Sequence, residues 1–253
     1  MSDPFSIESK TFLVTGGTRG IGRAISLCLA RAGALVIANY VRDQKAADEL
    51  VFLAQQERLR IQVCRADVSN EAGVKQLDET VAKQAPCLSA LIHCAATGVH
   101  RPVDELTVRH FDFTYSLNVR AFLALVTSLL PRFEKGSSIV AVSSEGAVHA
   151  VPQYTLVGSS KAALESLVRH FAVELAPRGI RVNALAPGSV LTDAWKVLPE
   201  SERRLEEAIR KTPLQRLVTL DEVALAARFL CSDAASGIVG QTLVVDGGAR
   251  VMA

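Results

Sequence analysis

Seven short apolar runs, TFLVTG, ALVIANY, RIQVCRAD, SALIHCAA, SIVAVSS, IRVNALAPG and QTLVVDGG, recur along the chain with longer stretches between them. Most are apolar at consecutive positions rather than alternate ones, the pattern of parallel strands covered on both faces. Helical periodicity fills the gaps at 20–32, 43–58, 70–84, 107–131, 153–176 and 220–232. This alternation predicts a single-domain α/β fold, a doubly wound seven-stranded parallel sheet with helices on both faces. In such sheets ligands bind outside the carboxyl ends of the strands. One connection, 189–213, breaks the rhythm. It carries Trp195, Leu198, Leu205 and Ile209 among many charges, which reads either as an amphipathic lid over a site or as a plain surface helix.

Composition narrows the function classes. The 253 residues are 49% hydrophobic, enough for a large core. Lys+Arg 28 against Asp+Glu 26 leaves a formal net charge of +2, too balanced for a general nucleic-acid or membrane binder. No run reads as long and uncharged enough to span a bilayer. Cys28, Cys64, Cys87, Cys94 and Cys231 show no CxxC or zinc spacing, so no metal site is expected. Their odd number, in a chain without a signal peptide, points to reduced thiols in a cytoplasmic protein.

The first apolar run leads through TGGTRGIG, 15–22, into a helical stretch. Gly16, Gly20 and Gly22 let the backbone turn tightly and approach a pyrophosphate seated on the positive end of a helix, with Thr18, Arg19 and Ile21 between them. The second run ends in Asn39 and Tyr40, where an NAD-binding chain would place an acid for the ribose 2′-hydroxyl. With Arg42 just beyond and Arg19 in the glycine turn, a 2′-phosphate is favoured, and the cofactor is read as NADPH. Asp67 and Val68, closing the third run, are placed to meet the adenine, although Asp67 would serve equally as a helix cap.

TGGTRGIG, ADV at 66–68, SLN ending at Asn118, Ser143 with Ser144, SKAAL at 160–164, VNALAPG at 182–188 and the closing VDGG resemble the short-chain dehydrogenases/reductases across nearly the whole chain. AATGVHRPVDEL, SLNVRAFL and QYTLVGSSKAALESLVRHFAVELAP are similar to the NADPH-dependent enoyl-acyl-carrier-protein reductases of the Tyr-x6-Lys type. The resemblance implies a Rossmann-type fold, a homo-oligomer (dimer or tetramer), Tyr154 as acid and Lys161 as the lysine that anchors the cofactor. It implies lesser roles for Ser144, which orients a substrate oxygen, and Asn118, which supports a relay water. Around the cofactor it places Cys94, Ala95, Ala96, Pro187, Gly188, Val190 and Thr192, the last near the carboxamide. His93 and Cys94 depart from the Asn-Asn that the family usually writes after the fourth strand.

Tyr154 precedes Lys161 by seven positions, and Val157 stands four before the lysine, where carbonyl reductases of this family keep their tyrosine. Three residues on a helix shift the acid by about 4.5 Å. That displacement fits a conjugate reduction, whose enolate oxygen lies two carbons from the carbon that takes hydride. The expected reaction is therefore reduction of a trans-2-enoyl thioester carried on acyl carrier protein or coenzyme A, with the phenol's acidity raised by the Lys161 ammonium. Two other readings stand beside it: a 3-oxoacyl or other carbonyl reductase, against which Val157 argues, and a catalytically silent NADPH-binding relative.

Overall fold

The computed structural model describes residues 3–190 and 201–252, and the seven apolar runs form one parallel sheet in it. Its strands are β1 (Thr11–Thr15), β2 (Leu35–Tyr40), β3 (Ile61–Arg65), β4 (Leu88–His93), β5 (Phe133–Val142), β6 (Arg181–Pro187) and β7 (Thr242–Val245). They are ordered β3-β2-β1-β4-β5-β6-β7. The chain winds outward from β1 to β3, then returns to β4 beside β1 and winds the other way. At that reversal Thr15 pairs with His93, and the connections leaving the two strand ends diverge, which opens the crevice that such sheets use for ligands.

Among the described residues, eight α-helices accompany the sheet: α1 (Gly20–Arg31), α2 (Gln44–Gln56), α3 (Glu71–Gln84), α4 (Val108–Tyr115), α5 (Ala121–Leu129), α6 (Thr155–Leu175), α7 (Ser201–Arg210) and α8 (Leu220–Cys231). Short polar side chains set several of their starts: Asp43 accepts from the Ala46 N–H, Asn70 from that of Gly73, and Thr219 forms a reciprocal capping box with Glu222. One core layer joins Leu77, Phe122, Leu125 and Leu164 from α3, α5 and α6 to one face of the sheet. The other joins Ile25 and Leu29 of α1 to Val223 and Ala227 of α8 on the opposite face.

The stretch 107–131 is not one regular helix. A π-helical turn, Ser116–Arg120, separates α4 from α5 and carries Asn118. The same stretch corrects the expectation that no segment could span a bilayer. Val108–Arg132, 25 residues that contain an 18-residue window of mean hydropathy 1.4, is long and apolar enough to do so by length and composition alone. Its apolar character has a source in the fold. Phe122, Leu125 and Leu129 are fully buried against the sheet, while Phe111, Phe113 and Leu123 lie on the outward face.

Phe122 packs against His93 on one side and Phe171 on the other, with ring centroids 5.6 Å away in each case. Phe122→Ala is expected to lower folding stability by about 3–5 kcal/mol, measured by chemical denaturation. A loss below about 1 kcal/mol would mean that the site collapses around the gap.

Candidate active site

The turn between β1 and α1 is shaped by its glycines. Gly16 and Gly20 hold left-handed backbone, φ 64° and 51°, which residues with a Cβ rarely adopt. A Cβ on Gly22 would run into the carbonyl of Gly16, and one on Gly16 would lie 3.0 Å from Ala95 Cα, so the turn sits directly on the connection after β4. Around Gly20 a Cβ would meet nothing within 4 Å, so that side of the turn is open. The N-terminus of α1 has no side-chain cap and no acid in its first turn. Its first N–H groups are left for an anion. Thr18 is buried within the turn, Ile21 half-buried, and Arg19 exposed beside it.

At the end of β2 both side chains find partners within the protein. Asn39 is fully buried and points inward, its Nδ2 donating to the carbonyls of Ala66 (2.9 Å) and Cys64 (3.2 Å). It ties β2 to β3 and is a structural clamp. Tyr40 is also buried, and its hydroxyl donates to Gln44 Oε1 at 2.7 Å. Arg42 is exposed just beyond, and Arg65, exposed at the end of β3, donates from its Nε to the Val41 carbonyl at 3.1 Å, so cations gather at this edge. The Oδ1 of Asp67 accepts from the backbone and the hydroxyl of Ser69, at 3.0 and 2.7 Å. It is not the cap of α3, which is Asn70. The Val68 side chain is in the core, so a contact with an adenine would fall to its backbone.

Tyr154 lies at the threshold of α6, as its N-cap residue, after Gln153 in left-handed backbone with φ 62°. Its hydroxyl donates to Ser144 Oγ at 3.4 Å. Burial, with the negative charge of Glu145, pushes the phenol up from its ordinary value, while the Ser144 hydroxyl acts in the opposite sense. The phenol therefore stays protonated at neutral pH. Lys161 is buried about two turns further along α6, and its Nζ donates to the Val142 carbonyl at 2.7 Å. Burial pushes its ammonium down to about 8, against the pull of Cys94 and Glu165. The expectation that Lys161 makes the phenol more acidic is not met: the groups that shift Tyr154 are burial, Ser144 and Glu145.

Val157 is buried, and Gly98 lies directly against it: a Cβ on Gly98 would collide with Val157 Cγ2. The connection after β4 thus closes over position 157, leaving the tyrosine hydroxyl of the site to Tyr154. Asn118 holds that connection in place. Its side chain accepts from the Thr97 N–H and donates to the Thr97 carbonyl, both at 2.9 Å, and donates to Ser160 Oγ on α6, also at 2.9 Å. These bonds commit the amide to the architecture beneath the site.

Cys94 and Ala95 are half-buried and Ala96 exposed beside the glycine turn. Burial pushes the Cys94 thiol up to about 11. His93 is buried, with Nδ1 3.0 Å from Thr15 Oγ1, which also accepts from the Ala95 N–H at 3.1 Å. Burial, aided by the Lys161 charge, pushes its imidazole down to about 3 against a smaller pull from Leu117. It is neutral at physiological pH and links the ends of β1 and β4. Pro187 closes β6, the Gly188 N–H donates to the Val245 carbonyl at 2.9 Å, and Val190 bridges to Val218. Thr192, Trp195 and Leu198 lie outside the described residues. Of the supposed lid, α7 is described, with Leu205 and Ile209 half-buried.

Two residues of the site carry no motif that marks them in the sequence. Glu165 accepts from Ser143 Oγ at 2.6 Å and is buried beneath Lys161; its spacing four after Lys161 is the one available signal. His100 places its ring 5.4 Å from that of Tyr154.

Residues 16–250 match a family described as enoyl-(acyl carrier protein) reductase. The chain is 36% identical to a 1-cyclohexenylcarbonyl-CoA reductase of Streptomyces collinus, over 95% of this chain and 87% of that one. It is also 36% identical to a 7alpha-hydroxysteroid dehydrogenase of Escherichia coli, over 98% and 96% respectively. In structure it is similar to a protein of Beutenbergia cavernae described as an NAD(P)-dependent gluconate 5-dehydrogenase with bound NADP at low occupancy. The TM-score is 0.91, the identity 31%, and the coverage 99% of this chain and 100% of that one.

Lys161 generates a prediction about stability. Its folded value of about 8 lies below the ordinary 10.5, so the unfolded chain binds the extra proton between those two pH values. Stability from this group accordingly rises with pH across that window and is lowest below about 8. Each tenfold loss of proton affinity corresponds to about 1.4 kcal/mol, so the effect is on the order of 3 kcal/mol. Lys161→Met removes the penalty, and the stability difference between variant and parent is expected to change by that amount between pH 7 and 10.5. Denaturation at the two pH values measures it, and a constant difference would place the ammonium in a well-solvated setting.

Proposed function

Because the chain belongs to the short-chain dehydrogenase/reductase family, a family of oxidoreductases, we propose that it is an NADPH-dependent reductase of the C2=C3 double bond of trans-2-enoyl thioesters. The observation that carries this reading is the placement of the acid: position 157 is sealed beneath Gly98, and the phenol next to Ser144 belongs to Tyr154. The 36% identity to a cyclohexenylcarbonyl-CoA reductase supports an unsaturated thioester as substrate, and coenzyme A or acyl carrier protein would be its carrier.

The residues present fit a nicotinamide dinucleotide. The open side of the glycine turn and the uncapped start of α1 would hold its pyrophosphate, and Arg19 and Arg42 a 2′-phosphate. Lys161, fixed by Val142, would hold the ribose hydroxyls of the nicotinamide half. When bound, NADPH supplies the hydride that C3 of the substrate accepts. As charge gathers on the thioester oxygen, the Tyr154 hydroxyl donates its hydrogen bond to it, and Ser144 steadies the phenol. C2 then takes a proton. The raised proton affinity of Tyr154 keeps it a donor through this sequence.

A second reading rests on the same pair. Ser144 and Tyr154 together would also bind a ketone oxygen, and the 7alpha-hydroxysteroid dehydrogenase relative acts on an alcohol carbon by its name. Following NADPH absorbance with crotonyl-CoA and with acetoacetyl-CoA separates the two: turnover of the first alone supports enoyl reduction, turnover of the second alone a carbonyl reductase, and turnover of neither a silent relative.

Tyr154→Phe is expected to cut crotonyl-CoA turnover about 100- to 1,000-fold, the usual cost of losing one oxyanion donor, with the dissociation constant for NADPH unchanged. Near-normal turnover would remove Tyr154 from the mechanism. At the other end of the site, Arg42→Asp should move coenzyme preference toward NADH. The lost charge-assisted bond is worth about 1.5 to 3 kcal/mol, read as the ratio of kcat/KM for the two coenzymes. If the parent protein uses NADH and NADPH equally, Arg42 does not select the coenzyme.

A further inference from the structure

Tyr154 is held loosely by its polar contacts for a residue that must present a hydroxyl to a reacting oxygen. It precedes α6, its backbone is set by the Val151 carbonyl at 3.1 Å and the Gly158 N–H at 2.7 Å, and the one hydrogen bond of its side chain is 3.4 Å long. At that length a hydroxyl–hydroxyl bond constrains direction weakly. The ring is held by packing. On one side it lies on Gly146, where a Cβ would come within 2.5 Å of Cε1, and near Gly158, where a Cβ would be 3.5 Å from Cδ1. Against it stands the imidazole of His100, with centroids 5.4 Å apart and planes inclined by 33°, within the range of favourable tilted aromatic pairs.

We infer that His100 is a positioning residue for this reaction: its ring closes the slot that directs the Tyr154 hydroxyl toward Ser144 and the substrate oxygen. This rests on the reading of Tyr154 as the acid. The placement of His100 is itself determined. It follows Thr97, which Asn118 holds by both backbone groups, and Gly98, which is seated on Val157. His100 is exposed to solvent on the whole, and the desolvation that it does undergo keeps the imidazole below its ordinary proton affinity, so at neutral pH an uncharged aromatic face meets the phenol. Its role is shape, which an aromatic hydrocarbon can supply.

The test uses His100→Ala and His100→Phe, each alone and combined with Tyr154→Phe, assayed with crotonyl-CoA and NADPH. His100→Ala should lower kcat by roughly tenfold, the rate equivalent of one aromatic pair, with NADPH affinity unchanged. His100→Phe should restore most of that loss. In the Tyr154→Phe background His100→Ala should cost nothing further, because there is no hydroxyl left to aim. The inference is overturned if His100→Ala keeps full kcat, if His100→Phe is as slow as His100→Ala, or if the loss recurs undiminished on Tyr154→Phe. Should Tyr154→Phe by itself retain the parent rate, the acid assignment fails first, and the inference with it; the first three outcomes leave that assignment standing.

Discussion

Three hydrogen bonds from one buried amide organise this site. The side chain of Asn118 clasps the N–H and the carbonyl of Thr97 and reaches Ser160 on α6. A net contribution of about 0.5–1.5 kcal/mol per bond is modest, but leaving those buried groups unpaired would cost more than the bonds themselves supply. What the clasp fixes is larger than itself. It sets the height of the connection after β4 above α6, which determines that Gly98 covers Val157 and that His100 reaches Tyr154. The π-helical turn is the means: an extra residue within 116–120 redirects the side chains of a helix that would otherwise run on regularly.

The electrostatics follow from burial more than from pairing. Lys161 has an accepting carbonyl, Glu165 has the Ser143 hydroxyl, and His93 has Thr15, each through a short, neutral partner. Hydrogen bonds of this kind help a charge or a polar ring to be held inside the fold, for Lys161 with the added pull of Glu165. The cost appears as lowered proton affinity of the lysine and the histidine. The tyrosine moves the other way, since burial favours its neutral, protonated form. The site is thus composed of a donor that keeps its hydrogen and an ammonium that gives it up more readily than a solvated one.

Much of this was legible in the chain. Consecutive apolar positions marked the strands because both sheet faces are covered, and the helical periodicity from 43, 70 and 220 matched helices that Asp43, Asn70 and Thr219 cap in the structure. Gly16 and Gly20 were readable because only glycine suits their backbone. The direction of a side chain was not. The side chains of Asn39 and Asn118 are spent on backbone groups and, for Asn118, the Ser160 hydroxyl, a fact that depends on distances between segments far apart in sequence. The pairing of Tyr154 with Ser144 is of the same kind, as is the division of Val108–Arg132 into an outward apolar face and a core face, which its hydropathy counts together.

The contact of Gly98 with Val157 constrains how such a site can change by single substitutions. A tyrosine introduced at position 157 has no room until the segment above it lifts, and lifting it displaces Thr97 from its clasp and His100 from the ring it covers. Conversely, Tyr154 loses its wall if that segment moves before a second phenol is in place. The two arrangements of the acid are therefore separated by intermediates in which neither hydroxyl is aimed, and passage between them needs concerted replacement of several residues in two segments. The position of a phenol is in this way held fixed by the packing of a glycine.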